Sequence, residues 1–262
     1  MSWIETTSLS FTARHESAQA EDAAAVLEDL EAQRNRLEEL FPRLPGNVTV
    51  ILHDSPLQLW VAHPALLLSR RMAARTARRY LAAGYRGDEV HTLSPPALRA
   101  LAAGPDSERA MLLNPLRAYT ALVVGTNNPL LPPPSRPGLA LRALRHPWLG
   151  QGAAQHFAGQ VPLLRAGIAM RLRQGRIPFP PGPRDAPLLA GSVFDLLARE
   201  HGERACVRLA THPYGSTRDA VTDSFERSMS DTAHAWRTHL EHLATPDPGV
   251  SEIHEVARPP AV

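Results

Sequence analysis

The sequence predicts an α+β fold with a small sheet in the first part of the chain and helices in the rest. Short runs in which apolar and polar residues alternate, or in which β-branched residues cluster, occur only before residue 94. Longer segments with apolar residues at helical spacing occur in both halves. Clusters of glycine and proline separate these segments. Strands mixed with helices, followed by helices alone, are typical of an α+β lobe joined to an α lobe.

The first 53 residues contain two predicted strands and one helix. Leu9, Phe11 and Ala13 alternate with polar neighbours, which predicts a half-buried strand. Residues 21–41 place apolar side chains at helical spacing and Glu and Arg on the other face, which predicts an amphipathic helix. Val48–His53 is a β-rich run that follows turn residues and predicts a second strand.

The next segment leads from a helical region into a short strand. Residues 56–82 have a helical composition and a basic face. Residues 84–88 predict a turn, and residues 89–93 predict a strand. Ser94 followed by Pro95 is a favourable N-cap and first helical residue, so a helix should begin there.

The second half of the chain is predicted to be helical. Residues 107–124 are apolar on most sides, which predicts a central helix with Pro115 in its first turn or at a kink. Another helix begins near Trp148. Further helices are predicted at residues 190–201, 203–211, 217–227 and 231–243. We expect an N-terminal α+β lobe at residues 1–110, the central helices and a C-terminal helical lobe at 111–245, and a disordered polar tail at 246–262.

The composition argues against several classes of partner. The formal net charge is only +2, and the arginine cluster at residues 70–79 has no interleaved aromatic residues, so no nucleic-acid partner is predicted. The single cysteine, Cys206, excludes an intramolecular disulfide, and its helical context predicts a small buried hydrophobe. The N-terminus lacks the pattern of a signal peptide, and no apolar run has transmembrane length. We therefore expect no membrane partner and a cytoplasmic location.

Four segments, in a fixed order, carry a resemblance to a known family. Residues 84–95 read GYRGDEVHTLSP, residues 148–157 read WLGQGAAQHF, and residues 190–202 read AGSVFDLLAREHG. The segment 219–240 contains Ala235-Trp236-Arg237 near its end. These segments resemble the edge strand, the second zinc helix and the C-terminal helices of the bacterial peptidase MA-like gluzincins, a family of zinc metallopeptidases. The resemblance covers roughly residues 3–243 and implies a two-lobed gluzincin-like fold.

The resemblance implies a zinc site whose residues this chain lacks. In the HExxH motif two histidines at i and i+4 bind zinc, the glutamate is the general base, and a carboxylate of the next helix is the third ligand. The corresponding positions here read Arg117-Ala118-Tyr119-Thr120-Ala121. Arg117 and Ala121 stand at the histidine positions, Ala118 at the general base and Gln151 at the third ligand. Arginine has no lone pair for a metal, so we expect no zinc, no other cofactor and no catalytic residue at this site.

Arg117 has two possible roles in a cleft without zinc. It could bond the side-chain oxygen of Gln151 and so repair the vacated position. Alternatively, it could face solvent and bind a carboxylate or phosphate of a ligand. The residues that could contact a ligand in the cleft are Arg117, Tyr119, Gln151, Gln155 and His156.

Three classes of function stay open at this point. The first is a catalytically inactive pseudopeptidase that binds a peptide or protein partner or acts as a scaffold. The second is an active peptidase MA-like hydrolase with a non-standard or misaligned site, whose ligands would be sought among His156, His234, His239 and His242. The third is an unrelated α+β protein whose similarity to gluzincins is accidental.

Overall fold

The computed structural model of the chain describes residues 3–131 and 147–245. Within these residues the chain forms one five-stranded sheet and twelve α-helices, which confirms the predicted mixture of α and β structure. The last strand ends at Leu93, and only helices follow it among the described residues. The predicted tail at 246–262 lies outside them, and the lobe boundary at residue 110 stays a prediction.

The sheet is mixed and has two antiparallel edges. Its strands are β1 (Trp3–Thr7), β2 (Phe11–Glu16), β3 (Val48–His53), β4 (Ala83–Arg86) and β5 (Glu89–Leu93). Their order is β1-β2-β3-β5-β4, in which β2, β3 and β5 run parallel and each edge strand runs antiparallel to its neighbour. Helix α1 (Ala20–Glu38) supplies the crossover that parallel strands β2 and β3 require.

Two predictions in the strand region are corrected by the hairpin turns. Leu9 lies in the turn between β1 and β2 with 96% of its side chain exposed, so the strand begins at Phe11. The segment 84–88 is mostly strand β4, and the turn is confined to Gly87 and Asp88. Gly87 has a φ of 60°, which glycine adopts without strain. Glycine at the second position of β4 interrupts the alternating pattern, which is why this strand was missed.

The helices begin in the first half and continue through the C-terminal part. After α1 they are α2 (Pro56–Ala62), α3 (Pro64–Met72), α4 (Pro95–Ala100), α5 (Pro105–Leu112), α6 (Asn114–Asn127), α7 (Pro147–Phe157), α8 (Arg165–Leu172), α9 (Ala186–His201), α10 (Glu203–Thr211), α11 (Thr217–Phe225) and α12 (Met229–Ala244). The single helix predicted at 107–124 is therefore two helices, α5 and α6. Pro115 lies in the first turn of α6, where its missing N–H leaves no helical hydrogen bond unmade.

Helix α6 lies at the centre of the core, as predicted. It contacts β4 and β5 of the sheet, α1 beside it and α7 on its other side. The ring of Tyr119 on α6 packs edge-on against Phe11 of β2, with ring centroids 5.0 Å apart. Buried Gln33 of α1 donates to the hydroxyl of Thr120 and to the carbonyl of Phe157, which joins α1, α6 and α7.

Helices α7 and α9 cross at a very short distance because glycine lies on both. A Cβ atom at Gly152 would lie 2.6 Å from the carbonyl oxygen of Ala190, and one at Gly191 would lie 2.8 Å from the Cβ of Gln155. The buried Gln155 amide fastens the crossing, since it donates to the carbonyl of Pro187 and accepts from the N–H of Gly191. This crossing positions α7 against α6.

Two expectations from composition can be compared with the structure. Cys206 is fully buried, as predicted, and burial raises the pKa of its thiol to about 12. Within residues 3–131 and 147–245, no helix combines the length and the apolar character needed to cross a bilayer.

We predict that Gly152→Ala destabilises the protein although alanine is the better helix former. The new methyl group would meet a backbone oxygen that cannot rotate away. Overpacking of about 1–3 kcal/mol, offset by about 1 kcal/mol of helix propensity, leaves a net loss of up to about 2 kcal/mol. Urea unfolding of the variant and the wild type measures this loss in the free energy of unfolding.

The matched control is Gly150→Ala on the same helix. There the nearest atom to the new Cβ is Leu131 Cδ1 at 3.8 Å, so the free energy of unfolding should stay constant or rise. Equal destabilisation by both substitutions would contradict the close crossing of α7 and α9.

Candidate functional site

An apolar cavity of about 280 Å³ lies beside the outer edge of strand β4. Helix α3 forms one wall, and α6 and α7 form the opposite wall. Most of the lining consists of aliphatic side chains, among them Leu66, Leu81 and Val124. The lining residues in the described part of the chain include no carboxylate.

The four positions that the resemblance aligns with the zinc site, called the remnant-site positions below, all lie in the wall of this cavity. Arg117, Ala118 and Ala121 line it from α6, and Gln151 lines it from α7. Residues separated by four positions lie on the same face of a helix, so Arg117 and Ala121 are neighbours there. The resemblance groups these positions from the sequence alone. That they line one cavity is a property of the tertiary structure.

Arg117 is bound to backbone and amide oxygens. Its Nη2 donates to the carbonyls of Tyr80 and Ala83, both at 3.1 Å, and to Oδ1 of Asn114 at 3.2 Å. Only 6% of the residue is exposed, and burial lowers its pKa to about 10, so the guanidinium stays charged at neutral pH. Among the described residues no carboxylate forms an ion pair with it. Arg117 therefore fastens α6 to the chain that enters β4.

The predicted bond between Arg117 and Gln151 is wrong. Oε1 of Gln151 is buried without a hydrogen-bond partner, and so is Nε of Arg117. Nor does Arg117 face solvent, because nearly all of its surface is covered. The carbonyls of the segment that enters β4 are buried and have no further strand to supply hydrogen-bond donors. They therefore accept hydrogen bonds from the guanidinium of Arg117, which Gln151 would otherwise receive.

Two side chains cap the outward-facing carbonyls of β4. The carbonyl of Ala82 accepts a hydrogen bond from β5. In an antiparallel pair, the backbone N–H and C=O groups of every second residue point away from the partner strand. The backbone groups of Ala83 and Tyr85 therefore point away from the sheet. Arg117 binds the carbonyl of Ala83, and Nε2 of His63 lies 2.9 Å from the carbonyl oxygen of Tyr85. Native proteins commonly cover a sheet edge in such a way.

A cluster of three histidines lies behind the cavity wall. Nε2 of His53 and Nδ1 of His91 are 3.2 Å apart with the rings stacked, and His63 packs edge-on against His91. Burial, and then the neighbouring histidines, lower the pKa of His53 to about 4. Burial and His63 also lower the pKa of His91, although Glu89 at 3.4 Å opposes the shift. His53 is therefore uncharged at neutral pH.

The cavity wall does not fit the zinc ion that the resemblance implies. The four remnant-site residues offer a cation, two methyl groups and a neutral amide, none of which is a good zinc ligand. His63 also lines the cavity, but its Nδ1 accepts from the N–H of Leu66 and its Nε2 is bound to Tyr85. Within the described part of the chain, no group of three His, Cys, Asp or Glu residues is arranged to hold a metal ion.

Three residues predicted as possible ligand contacts do not line this cavity. Tyr119 is fully buried on the opposite face of α6, where its hydroxyl accepts from Arg34. Gln155 is buried in the crossing of α7 and α9. His156 packs against Phe157 and Phe194, and burial lowers its pKa.

The C-terminal histidines do not form an alternative metal centre either. His239 is buried, and its Nε2 lies 2.8 Å from Oδ2 of Asp195. His234 and His242 are exposed on α12. The pattern of three histidines on one helix therefore corresponds to one buried hydrogen-bond partner of Asp195 and two surface residues.

The sequence interpretation missed His53, His63 and His91. One signal could have found two of them: His53 ends one predicted strand and His91 lies within the next, so parallel pairing would place them close together. His63 precedes Pro64 at the start of α3 and caps that helix, a role that its position alone does not reveal.

Comparison with known proteins returned no relative of this chain. No family model and no curated protein matches the sequence, and no solved structure matches the fold. The function of the cavity therefore has to be inferred from its own residues.

We predict that the histidine cluster makes the protein acid-sensitive. The unfolded chain protonates His53 below about pH 6.5, whereas the folded chain keeps it neutral down to about pH 4. Because the unfolded state binds the extra proton in this window, the free energy of unfolding falls as the pH falls from 6.5 to 4. The slope should be up to about 1.4 kcal/mol per pH unit for this group.

Urea unfolding at several pH values tests this expectation. His53→Gln removes the titrating group, so the free energy of unfolding of this variant should change less steeply between pH 6.5 and 4. Identical slopes for the two proteins would show that His53 is not responsible.

Proposed function

We propose that the chain is a non-catalytic binding protein of gluzincin-like, two-lobed architecture. Its cavity would receive a large apolar side chain of a peptide or protein partner. One observation carries the proposal: the four positions that correspond to the zinc ligands and the general base all line a single apolar cavity beside an edge strand. Each has lost the group that the chemistry would need.

The cavity suits an apolar side chain in size and lining. Small-molecule pockets usually begin at about 300 Å³, so a cavity of about 280 Å³ is small for a whole ligand. It is sufficient for a side chain the size of leucine or phenylalanine. Leu68 and Met72, which also line it, are 54% and 37% exposed and extend its apolar surface outward.

Two unpaired polar atoms in the wall favour a peptide over a plain hydrocarbon. Oε1 of Gln151 is an acceptor without a donor, and Nε of Arg117 is a donor without an acceptor. A peptide group offers one N–H and one C=O, which is the complementary set. Both atoms are buried, so a partner would reach them only after the Gln151 side chain rotates. A hydrocarbon would leave both atoms unsatisfied, which is unfavourable.

The capped edge of β4 determines how such a partner would bind. Arg117 and His63 already occupy the outward carbonyls of Ala83 and Tyr85. An added strand would need these acceptors. The partner is therefore expected to be held by side-chain insertion into the cavity and not by extension of the sheet.

The same residues support the absence of hydrolysis. Ala118 stands where a general base would take a proton from water, and the described lining residues contain no carboxylate to replace it. Both ring nitrogens of His63 are engaged in the fold. No described wall residue is left to activate water.

We predict that the purified protein holds no stoichiometric zinc and cleaves neither casein nor a quenched peptide. Elemental analysis measures the metal, and the cleavage assay is run with and without added zinc. Stoichiometric zinc together with cleavage that a chelator abolishes would overturn the proposal and the alignment of Arg117 and Ala121 with zinc ligands.

We also predict preferential binding of peptides with one large apolar residue. The probes are capped tripeptides with leucine, phenylalanine, alanine or aspartate in the middle, titrated into ¹⁵N-labelled protein. Burial of a leucine side chain contributes about 1.5–3 kcal/mol, so the leucine peptide should bind at least about tenfold more tightly than the alanine peptide. Amide shifts should concentrate at Ala118, Ala121 and Gly150.

Filling the cavity by substitution tests whether the peptide binds there. Ala121→Phe places a ring in the cavity and should abolish the shifts. Ala24→Phe adds the same ring at an exposed position of α1 and should leave binding unchanged. Equal binding of the leucine peptide by both variants would place its site elsewhere.

A further inference from the structure

A second pocket, of about 490 Å³, is lined mainly by arginine and lies at the C-terminal end of α3. Arg71, Arg75, Arg78 and Arg184 contribute to its lining, together with Gln174 and three small or apolar residues. Arg71, Arg75 and Arg184 are exposed, and Arg78 is half-buried. Neither the zinc-site alignment nor the proposed peptide cavity accounts for these residues.

No described carboxylate neutralises these four arginines. Seven arginines elsewhere in the described ranges form ion pairs with acidic side chains, but none of these four does. The nearest acid along the chain is Asp185, which is buried in a two-bond pair with Arg171. The charge of Asp185 is therefore already balanced by another arginine.

The sequence explains why the pocket has no acidic partner. Residues 55–87 contain six arginines and no aspartate or glutamate, and residues 109–184 also contain neither acid. The fold joins these two acid-free segments, since the N–H of Ala74 donates to the carbonyl of Arg184 at 2.8 Å. Positive charge from distant parts of the chain is thus concentrated at one concave site.

The backbone around the pocket is held in place by further hydrogen bonds. Nε of Arg78 donates to the carbonyl of Ala73, and Nη1 of Arg70 donates to the carbonyl of Arg78. Burial, and then the charge of Arg78, lower the pKa of Arg70 beside the pocket. Several like charges that line one pocket attract a multivalent counter-ion.

We propose that this pocket is a phosphate-binding site, which takes inorganic phosphate or the phosphate group of a larger ligand. Guanidinium groups match phosphate oxygens through paired N–H donors. A phosphate with a charge near −2 also compensates several arginines, which one carboxylate cannot do. The site is separate from the apolar cavity, so the two proposals can fail independently.

The test is calorimetric titration of the full chain with sodium phosphate at pH 7.5 and constant ionic strength. Wild type should show saturable binding. Arg75→Gln and Arg184→Gln should each weaken it about tenfold, since one charge-assisted contact is lost. The matched control is Arg204→Gln, which removes the same charge from an exposed position of α10 outside the pocket and should keep wild-type affinity.

A vesicle arm distinguishes the two sources of phosphate. Vesicles of phosphatidylcholine with and without phosphatidic acid are sedimented with each protein. Binding to free phosphate indicates a soluble ligand. Binding only to phosphatidic acid vesicles, weakened by Arg75→Gln and not by Arg204→Gln, assigns the site to a lipid headgroup.

Two results would overturn the proposal. One is the absence of binding to both free phosphate and phosphatidic acid vesicles. The other is binding that Arg204→Gln weakens as much as Arg75→Gln, because such binding would reflect overall charge. The same conclusion holds if a single-stranded oligonucleotide binds and both substitutions weaken its binding equally. Circular dichroism spectra of the variants establish that they fold, which is expected because the substituted side chains are exposed.

Discussion

The edge of strand β4 imposes the constraint on which the functional region depends. A strand at the end of a sheet has carbonyl groups without a partner strand, and helices α3, α6 and α7 line the cavity beside this edge. Buried carbonyls need donors, and Arg117 and His63 supply them to Ala83 and Tyr85. These two bonds fasten α6 and the start of α3 to the sheet, and the apolar cavity is the space that remains between them.

This arrangement also explains why the site does not suit metal chemistry. A zinc centre needs several lone pairs directed at one point, whereas the wall of this cavity presents methyl groups, an amide and a cation that has no lone pair to offer. Arg117 therefore stabilises the fold through its hydrogen bonds to backbone carbonyls. The cavity can contribute binding energy through apolar burial, and its two unpaired polar atoms can give that binding a preference for amides.

The apolar cavity and the arginine pocket are neighbours, because Met72 at the end of α3 lines both. One short helix thus separates a site suited to hydrocarbon from a site suited to a multivalent anion. The two sites draw on different physical effects, since the first depends on burial of apolar surface and the second on charge that salt can screen. The flexible methionine side chain between them can adapt to an occupant on either side.

The sequence by itself determined the mixed fold class, the extents of α1 and of α9 to α12, and the burial of Cys206, because these depend on local periodicity and propensity. Periodicity alone did not predict β4, whose alternation is interrupted by glycine, and it joined α5 and α6 because the apolar run at residues 110–113 links them. The sequence also predicted that Arg117, Ala118, Ala121 and Gln151 belong to one site, yet it left Arg117 either bonded to Gln151 or facing solvent, and the structure shows neither. Tertiary structure alone decided that Arg117 binds the edge of β4 and that Arg184 lines the same pocket as Arg75, since both depend on contacts between segments far apart in the chain.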